Sequence, residues 1–166
     1  LSLLAIGDLI VGVSNDAVNF LNSAIGSKVF SFRKIMIFAS VGILFGALSS
    51  SGMMEVARKG IFNPGAFFFD EIIFIFMAVM ITDILLLDFF NTIGLPTSTT
   101  VSIVFELLGA AVVMAIIKIA KSDQLLSDLS TYINTEKATQ IILGILLSVF
   151  IAFSIGALVQ WISRII

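Results

Sequence analysis

The sequence contains no cysteine and no histidine. Disulfides, thiol nucleophiles, imidazole bases and the usual ligands of zinc and haem are therefore excluded. Charged residues are also scarce, at 12% of the chain, whereas an ordinary soluble domain has roughly 25%. Any chemistry has to use carboxylates, hydroxyls, amides and backbone groups.

What the sequence has instead is apolar surface, because 59% of its 166 residues are hydrophobic. A bilayer accepts such a chain as helices of about 20 apolar residues that satisfy their own backbone hydrogen bonds. We therefore predict an all-α fold, a polytopic helical bundle in a membrane. The net charge is only -2, and the basic residues are scattered, so nucleic acid is excluded as a partner.

The chain begins at Leu1, inside an apolar run and without the basic stretch of a signal peptide. We interpret residues 1–166 as a single transmembrane domain and as a fragment of a longer protein.

Hydropathy predicts four or five membrane segments. Residues 1–13 are too few to span a bilayer and are followed by the polar residues 14–16, so we expect a discontinuous or re-entrant helix there. Further spans are predicted over residues 35–48, 72–90, 97–117 and 141–162, with a short interfacial helix over residues 49–62. Gly42 and Gly46 form a GxxxG pair, which predicts close helix packing.

Five acids lie in or beside the apolar runs: Asp8, Asp16, Asp83, Asp88 and Glu106. A charged side chain in hydrocarbon costs at least about 2.5 kcal/mol, so each is a candidate functional residue. Asp8 and Asp88 also fit solvated positions near helix ends.

The first polar motif surrounds Asp16. Asn15, Asp16 and Asn19 place carboxylate and amide oxygens at helical spacing along one face. Hard oxygen ligands of this kind suit sodium. The alternative is a helix N-cap at residues 14–16, and a broken helix in mid-membrane can provide both.

The second polar motif covers residues 94–100, where a predicted helix stop is followed directly by a helix start. Free N–H groups and the partial positive charge of a helix N-terminus bind an anion such as phosphate without Lys or Arg. The motif lacks the glycine spacing and the lysine of a P-loop, so a nucleotide does not fit. The alternative is a capped loop between two spans.

At these residues the sequence resembles the inorganic phosphate transporter family, whose two signatures read approximately G-A-N-D-V-A-N-A and G-L-P-V-S-T-T-H. The matching residues are Asn15, Asp16, Asn19 and Gly26-Ser27 for the first signature, and Gly94-Leu95-Pro96 with Ser98-Thr99-Thr100 for the second. Arg58-Lys59-Gly60-Ile61 is similar to a stretch often found between them. The resemblance covers residues 6–119.

The resemblance implies a multi-pass symporter of the cell (inner) membrane that carries inorganic phosphate with sodium or protons. It implies two inverted repeats, of which this chain is one half. Asn15, Asp16 and Asn19 would bind the cation, with sodium at Asp16 and Asn15. Asn19, Ser98, Thr99 and Thr100 would bind phosphate. Further expected partners are the second repeat, the lipid bilayer and another copy in a homo-oligomer.

Two departures from the family pattern bear on the coupling ion. Val101 stands where the second signature has histidine, and Gly42 falls where many members carry glutamate. The loss of a titratable group alters sensitivity to protons, and we expect sodium as the coupling ion and no other cofactor.

Other functions remain open at this stage. The two polar motifs also fit a channel, a transporter of another oxyanion such as sulfate, or a non-catalytic membrane subunit. An enzyme acting on a lipid phosphate has little support, because Asp83 and Asp88 are five positions apart and face different sides of a helix.

Overall fold

The computed structural model describes residues 1–49, 60–95, 97–121 and 128–165, and most of these residues are helical. The helices are α1 (Ser2–Ser27), α2 (Phe32–Ser49), α3 (Phe69–Ile93), α4 (Thr99–Lys121), the short α5 (Leu129–Tyr132) and α6 (Thr135–Ile165), with a 3-10 turn at Pro64–Ala66. Five of them are long and apolar enough to cross a membrane. The predicted all-α, polytopic membrane fold is confirmed.

The expected break in the first helix is wrong, because α1 runs without interruption through residues 14–16. The Ser14 hydroxyl donates to the carbonyl of Ile10 at 2.7 Å, inside the helix. A serine bonded in this way removes no backbone hydrogen bond, so the helix continues. The alternative prediction of an N-cap at these residues is wrong for the same reason.

The stop before the second motif is confirmed, since α3 ends at Ile93 and α4 begins at Thr99. The predicted interfacial helix over residues 49–62 falls largely outside the described residues. At its described end, Ile61 and Phe62 are not helical, and they pair with the segment after α5. Asn63 N–H donates to the Tyr132 carbonyl at 2.8 Å, and Asn134 N–H to the Ile61 carbonyl at 3.0 Å.

The core lies between α3 and α4 and is closed at one end by the segments around Phe62 and Tyr132. The buried residues of α4 recur every three or four positions and include Leu107, Ala111 and Ala115, as expected for one packed face of a helix. Small residues on that face allow the two backbones to approach closely, which drives helix association in lipid. α1 packs mainly against α3 and also contacts the start of α4.

An ion pair fixes the same end of this core. Glu71 accepts the Phe68 N–H at 2.7 Å, which caps the start of α3. Lys118, in the last turn of α4, donates to Glu71 at 2.7 Å and to the Ala66 carbonyl at 3.0 Å. The pair therefore ties the start of α3 to the end of α4.

Two helices have little packing within the described chain. α2 buries Ile35 and α6 buries Ala138, whereas their remaining described side chains are exposed or half-exposed. No described atom lies within 4 Å of a Cβ placed at Gly42 or Gly46, so the close packing predicted there is not formed by the described residues. The free apolar faces are available to lipid or to further protein.

Replacing Ala111 by leucine should destabilise the bundle by about 1–3 kcal/mol, because this fully buried site has no room for three more carbon atoms. Thermal unfolding of the purified protein in detergent measures the effect. Ala120→Leu, at an exposed position of the same helix, is the matched control. Equal unfolding temperatures for the two variants would contradict the packing of α3 on α4.

Candidate functional site

The turn between α3 and α4 is formed by local hydrogen bonds and by the conformation of Gly94. Gly94 adopts a left-handed conformation with φ 70°, which glycine reaches without steric cost. Its N–H donates to the Asn91 carbonyl at 3.2 Å, and Leu95 N–H to the Phe90 carbonyl at 3.1 Å, closing the end of α3. Ser98 Oγ then accepts the Val101 N–H at 3.4 Å and caps the start of α4.

Asparagine side chains of α1 bind this turn. Asn15 Nδ2 donates to Asn91 Oδ1 at 2.8 Å, and Asn19 Nδ2 donates to the Thr97 carbonyl at 2.8 Å. Asn19 also donates to Asn15 Oδ1 at 3.2 Å. Asn15 is only 2% exposed, so its amide depends on these partners. The first motif is thereby attached to the second.

A further hydrogen bond joins the acid of the first motif to the hydroxyls of the second. Thr99 Oγ1 donates to the two carboxylate oxygens of Asp16, at 3.1 and 3.4 Å. A hydroxyl that donates to a carboxylate makes a charge-assisted bond, stronger than one between neutral groups. The bond connects the middle of α1 to the first residue of α4, across 83 sequence positions.

A cleft of about 510 Å³ opens beside these contacts, within the usual range for small-ligand sites. Its lining consists of Ser14, Asn15, Val18, Asn19, Asn22, Phe90, Asn91, Gly94 and Leu95. The polar part of this lining is neutral amide and hydroxyl. Such groups donate hydrogen bonds to an anion without adding the charge of Lys or Arg.

Asp16 faces a different space. It lines a cleft of about 440 Å³ between α1 and α2, together with Met36, Ser40 and Gly42. Neighbouring positions on a helix point in different directions, and Asp16 lines a different cleft from Asn15 and Asn19. The prediction that all three lie on one face of α1 is therefore wrong for Asp16. Within the described residues no three acidic side chains are grouped to hold a metal. A sodium ion at Asp16 would therefore have one carboxylate and otherwise neutral oxygens, which suits a monovalent ion.

The predicted site residues thus form one connected region, in which Asn15, Asp16, Asn19 and Thr99 contact one another or the turn. Ser98 acts as the helix cap, and Thr100 is exposed. The assignments of these residues to phosphate and cation binding remain predictions.

Asn91 was missed as a site residue, because its position before Gly94 suggested a helix stop. Its spacing indicates a position near the site. Asp83 and Leu87 are buried on α3 and are four positions apart, and Asn91 follows Leu87 by another four. This spacing places Asn91 on the same face of α3 as those buried residues, at its exposed end beside the turn.

Replacing Asn91 by alanine removes the acceptor of the buried Asn15 amide. An unsatisfied buried donor costs about 1–3 kcal/mol, so we expect a lower unfolding temperature. Asn22→Ala, at an exposed position of α1, is the control for loss of an amide. If Asn22→Ala lowers the unfolding temperature as much as Asn91→Ala does, the Asn15–Asn91 bond adds nothing to stability.

Comparison with known proteins gives consistent matches. A family model described as "Phosphate transporter family" matches residues 12–166, a range that contains both motifs. A Thermococcus kodakarensis protein named as a candidate phosphate permease is 29% identical over 149 residues, or 88% of this chain and 33% of the relative. A similarly named protein of Pyrococcus furiosus is 30% identical over 72% of this chain and 30% of its own length. Another, from Helicobacter pylori, is 31% identical over 61% of this chain and 20% of its own length.

The chain therefore spans a fifth to a third of the length of these curated relatives. No solved structure matches the chain.

Proposed function

Because the chain belongs to the phosphate transporter family, we propose that the full-length protein carries inorganic phosphate across the cell membrane by secondary active symport. Sodium is the proposed coupling ion, with protons as the alternative. The observation that carries this proposal is the hydrogen bond from Thr99 to Asp16. It places the carboxylate suited to a cation against the helix start suited to an oxyanion.

Phosphate would bind at the amide-lined cleft and the start of α4. Asn15 and Asn19 line the cleft. The first N–H groups of α4 have no partner within their own helix, and among the described residues Ser98 accepts the one from Val101. The positive end of the helix dipole favours a negative ligand there. Amide, hydroxyl and backbone donors would then hold the oxyanion without a basic side chain.

The Thr99–Asp16 bond also suggests how a cation couples to phosphate. A hydroxyl has a single proton to donate, and in this structure Thr99 donates it to Asp16. A sodium ion bound to the Asp16 carboxylate would neutralise its negative charge and replace the Thr99 hydroxyl there. The hydroxyl would then be free to donate to phosphate. Phosphate would in turn favour sodium binding, because such coupling is reciprocal.

Asp16→Asn should abolish the stimulation of phosphate uptake by an inward sodium gradient, since the negative charge that attracts the ion is lost. Radiolabelled phosphate uptake into proteoliposomes containing the full-length protein measures this, with sodium, proton and no gradient compared. Asp88→Asn removes an exposed acid of α3 and should behave as wild type. Undiminished sodium stimulation in Asp16→Asn would rule out Asp16 as the coupling site.

Thr99→Val should raise the KM for phosphate about tenfold, because one hydrogen bond of roughly 1.4 kcal/mol is lost from the phosphate-bound state. Thr99→Ser keeps the hydroxyl and should restore most of the affinity. Thr92→Val, an exposed position near the end of α3, is the control. A wild-type KM in Thr99→Val would limit Thr99 to a structural contact.

A transporter of another tetrahedral oxyanion is the second candidate, since the polar lining of the cleft consists of neutral donors that sulfate can also accept. Unlabelled sulfate added in excess to the uptake assay separates the two. We expect little inhibition by sulfate and complete inhibition by phosphate.

The exposed faces of α2 and α6 support a proposal about partners. The relatives are about three or more times longer than the region they share with this chain. A second, inverted repeat packed on α2 and α6 would cover apolar surface that α1, α3 and α4 leave free, and would complete the site from the other side.

A further inference from the structure

A second polar centre lies apart from the site at Asp16. Asp8 of α1, Asp83 of α3 and Glu106 of α4 meet between these three helices, and we call them the acid cluster. The carboxyls of Asp8, Asp83 and Glu106 lie close enough to act on one another electrostatically, and a Cβ placed at Gly7, beside Asp8, would lie 3.3 Å from the side chain of Ile84, beside Asp83. Asp83 is only 2% exposed. Asp8 and Glu106 are half-buried, so the cluster reaches from the interior of the bundle towards its surface.

Each member of the cluster keeps one buried oxygen without a hydrogen-bond partner: Asp8 Oδ1, Asp83 Oδ1 and Glu106 Oε2. A donor within the cluster comes from Ser102, whose hydroxyl binds Glu106 Oε1 at 2.8 Å. Buried polar atoms are nearly always paired in folded proteins. Three orphaned acceptors in one place indicate that the cluster needs a hydrogen-bond donor that its ionised carboxylates cannot supply.

The helices around the cluster supply no positive charge to it. α1 and α3 contain no Lys or Arg, and those of α4, Lys118 and Lys121, lie in its last turn. Lys118 is paired there with Glu71. Among the described residues, the charged groups that act on Asp83 and Glu106 are the carboxyls of the cluster itself. Three ionised carboxylates so close together in a membrane interior would repel strongly and each lose its hydration.

We propose that the acid cluster binds a proton, shared among Asp8, Asp83 and Glu106, as a site separate from Asp16. The proton forms an O–H bond on one carboxyl, which donates to a neighbouring carboxylate oxygen. One binding event thus removes one negative charge and satisfies an orphaned acceptor. A cation would be the other occupant of such a cluster, and displacement of the proton by sodium is part of the test.

The position of the cluster suits exchange of that proton during transport. Asp83 lies about 20 Å from the start of α3 and about 15 Å from its end, at the helical rise of 1.5 Å per residue. Glu106 also lines a cleft of about 400 Å³ between α3 and α4, which gives the cluster an outlet. A role in transport rests on the proposed function, whereas the presence of the proton does not.

Infrared spectroscopy of the full-length protein in lipid tests for the proton directly. At neutral pH we expect a carbonyl band from a protonated carboxyl that shifts in heavy water and is lost in Asp83→Asn. Asp8→Asn and Glu106→Gln should each shift or remove the same band, so the test survives misfolding of one variant. Asp88→Asn, which removes an exposed acid of α3, should leave the band unchanged.

Two results would overturn the proposal. One is the absence of any band that substitutions in the cluster alter. The other is a band that sodium displaces at constant pH, because the cluster would then be a cation site.

A transport assay separates this proposal from the proposed function. A pH dye inside the proteoliposomes should report proton entry during phosphate uptake, and Glu106→Gln should lose that component while keeping its sodium stimulation. Absence of phosphate uptake in the wild type would contradict the proposed function alone. The infrared band would still show whether the cluster holds a proton. Normal uptake without a cluster-dependent band would contradict the proton site alone.

Discussion

A polar side chain inside a bilayer has no water to bond, so it is stable only where the protein supplies a partner. This constraint determines how α1 is held. Within α1, which the structure describes in full, Asn15 is the one buried residue, and its amide binds Asn91 of α3. Polar contacts from Asn15, Asp16 and Asn19 therefore attach α1 to the α3–α4 turn, so the fold and the candidate site depend on the same hydrogen bonds.

The pair formed by α3 and α4 is held differently. Apolar surface alone gives little reason for helices to associate in lipid, because the lipid is equally apolar. Fully buried Ala111 and Ala115 allow close van der Waals contact, and the Lys118–Glu71 pair fixes the end of the two helices. The result is a closely packed pair against which α1, whose one buried residue is Asn15, presents its polar residues. The hydrogen bonds of α1 to the turn are thus separate from the apolar contacts that form the core.

The sequence was sufficient for the fold class, because hydropathy predicts four or five spans, of which the structure has five, and Gly94 is the natural residue for a left-handed helix end. It was insufficient at α1, where the polar run at residues 14–16 predicts a break. Whether such a run ends a helix depends on where its side chains bond. Ser14 bonds within the helix, whereas Asn15 and Asp16 bond to residues 76 and 83 positions away. Those distant partners are set by tertiary packing, as is the meeting of Asp8, Asp83 and Glu106.

The two charged centres share the same helices. Thr99 donates to Asp16, and Ser102, one turn further along α4, donates to Glu106. Asp8 and Asp16 are eight residues apart on α1, or about 12 Å at the helical rise. Because both centres lie between α1 and the first two turns of α4, a movement of α1 relative to α4 alters them together. A proton on the acid cluster and a cation at Asp16 would therefore influence each other through one helix pair, with equal and reciprocal effects on affinity.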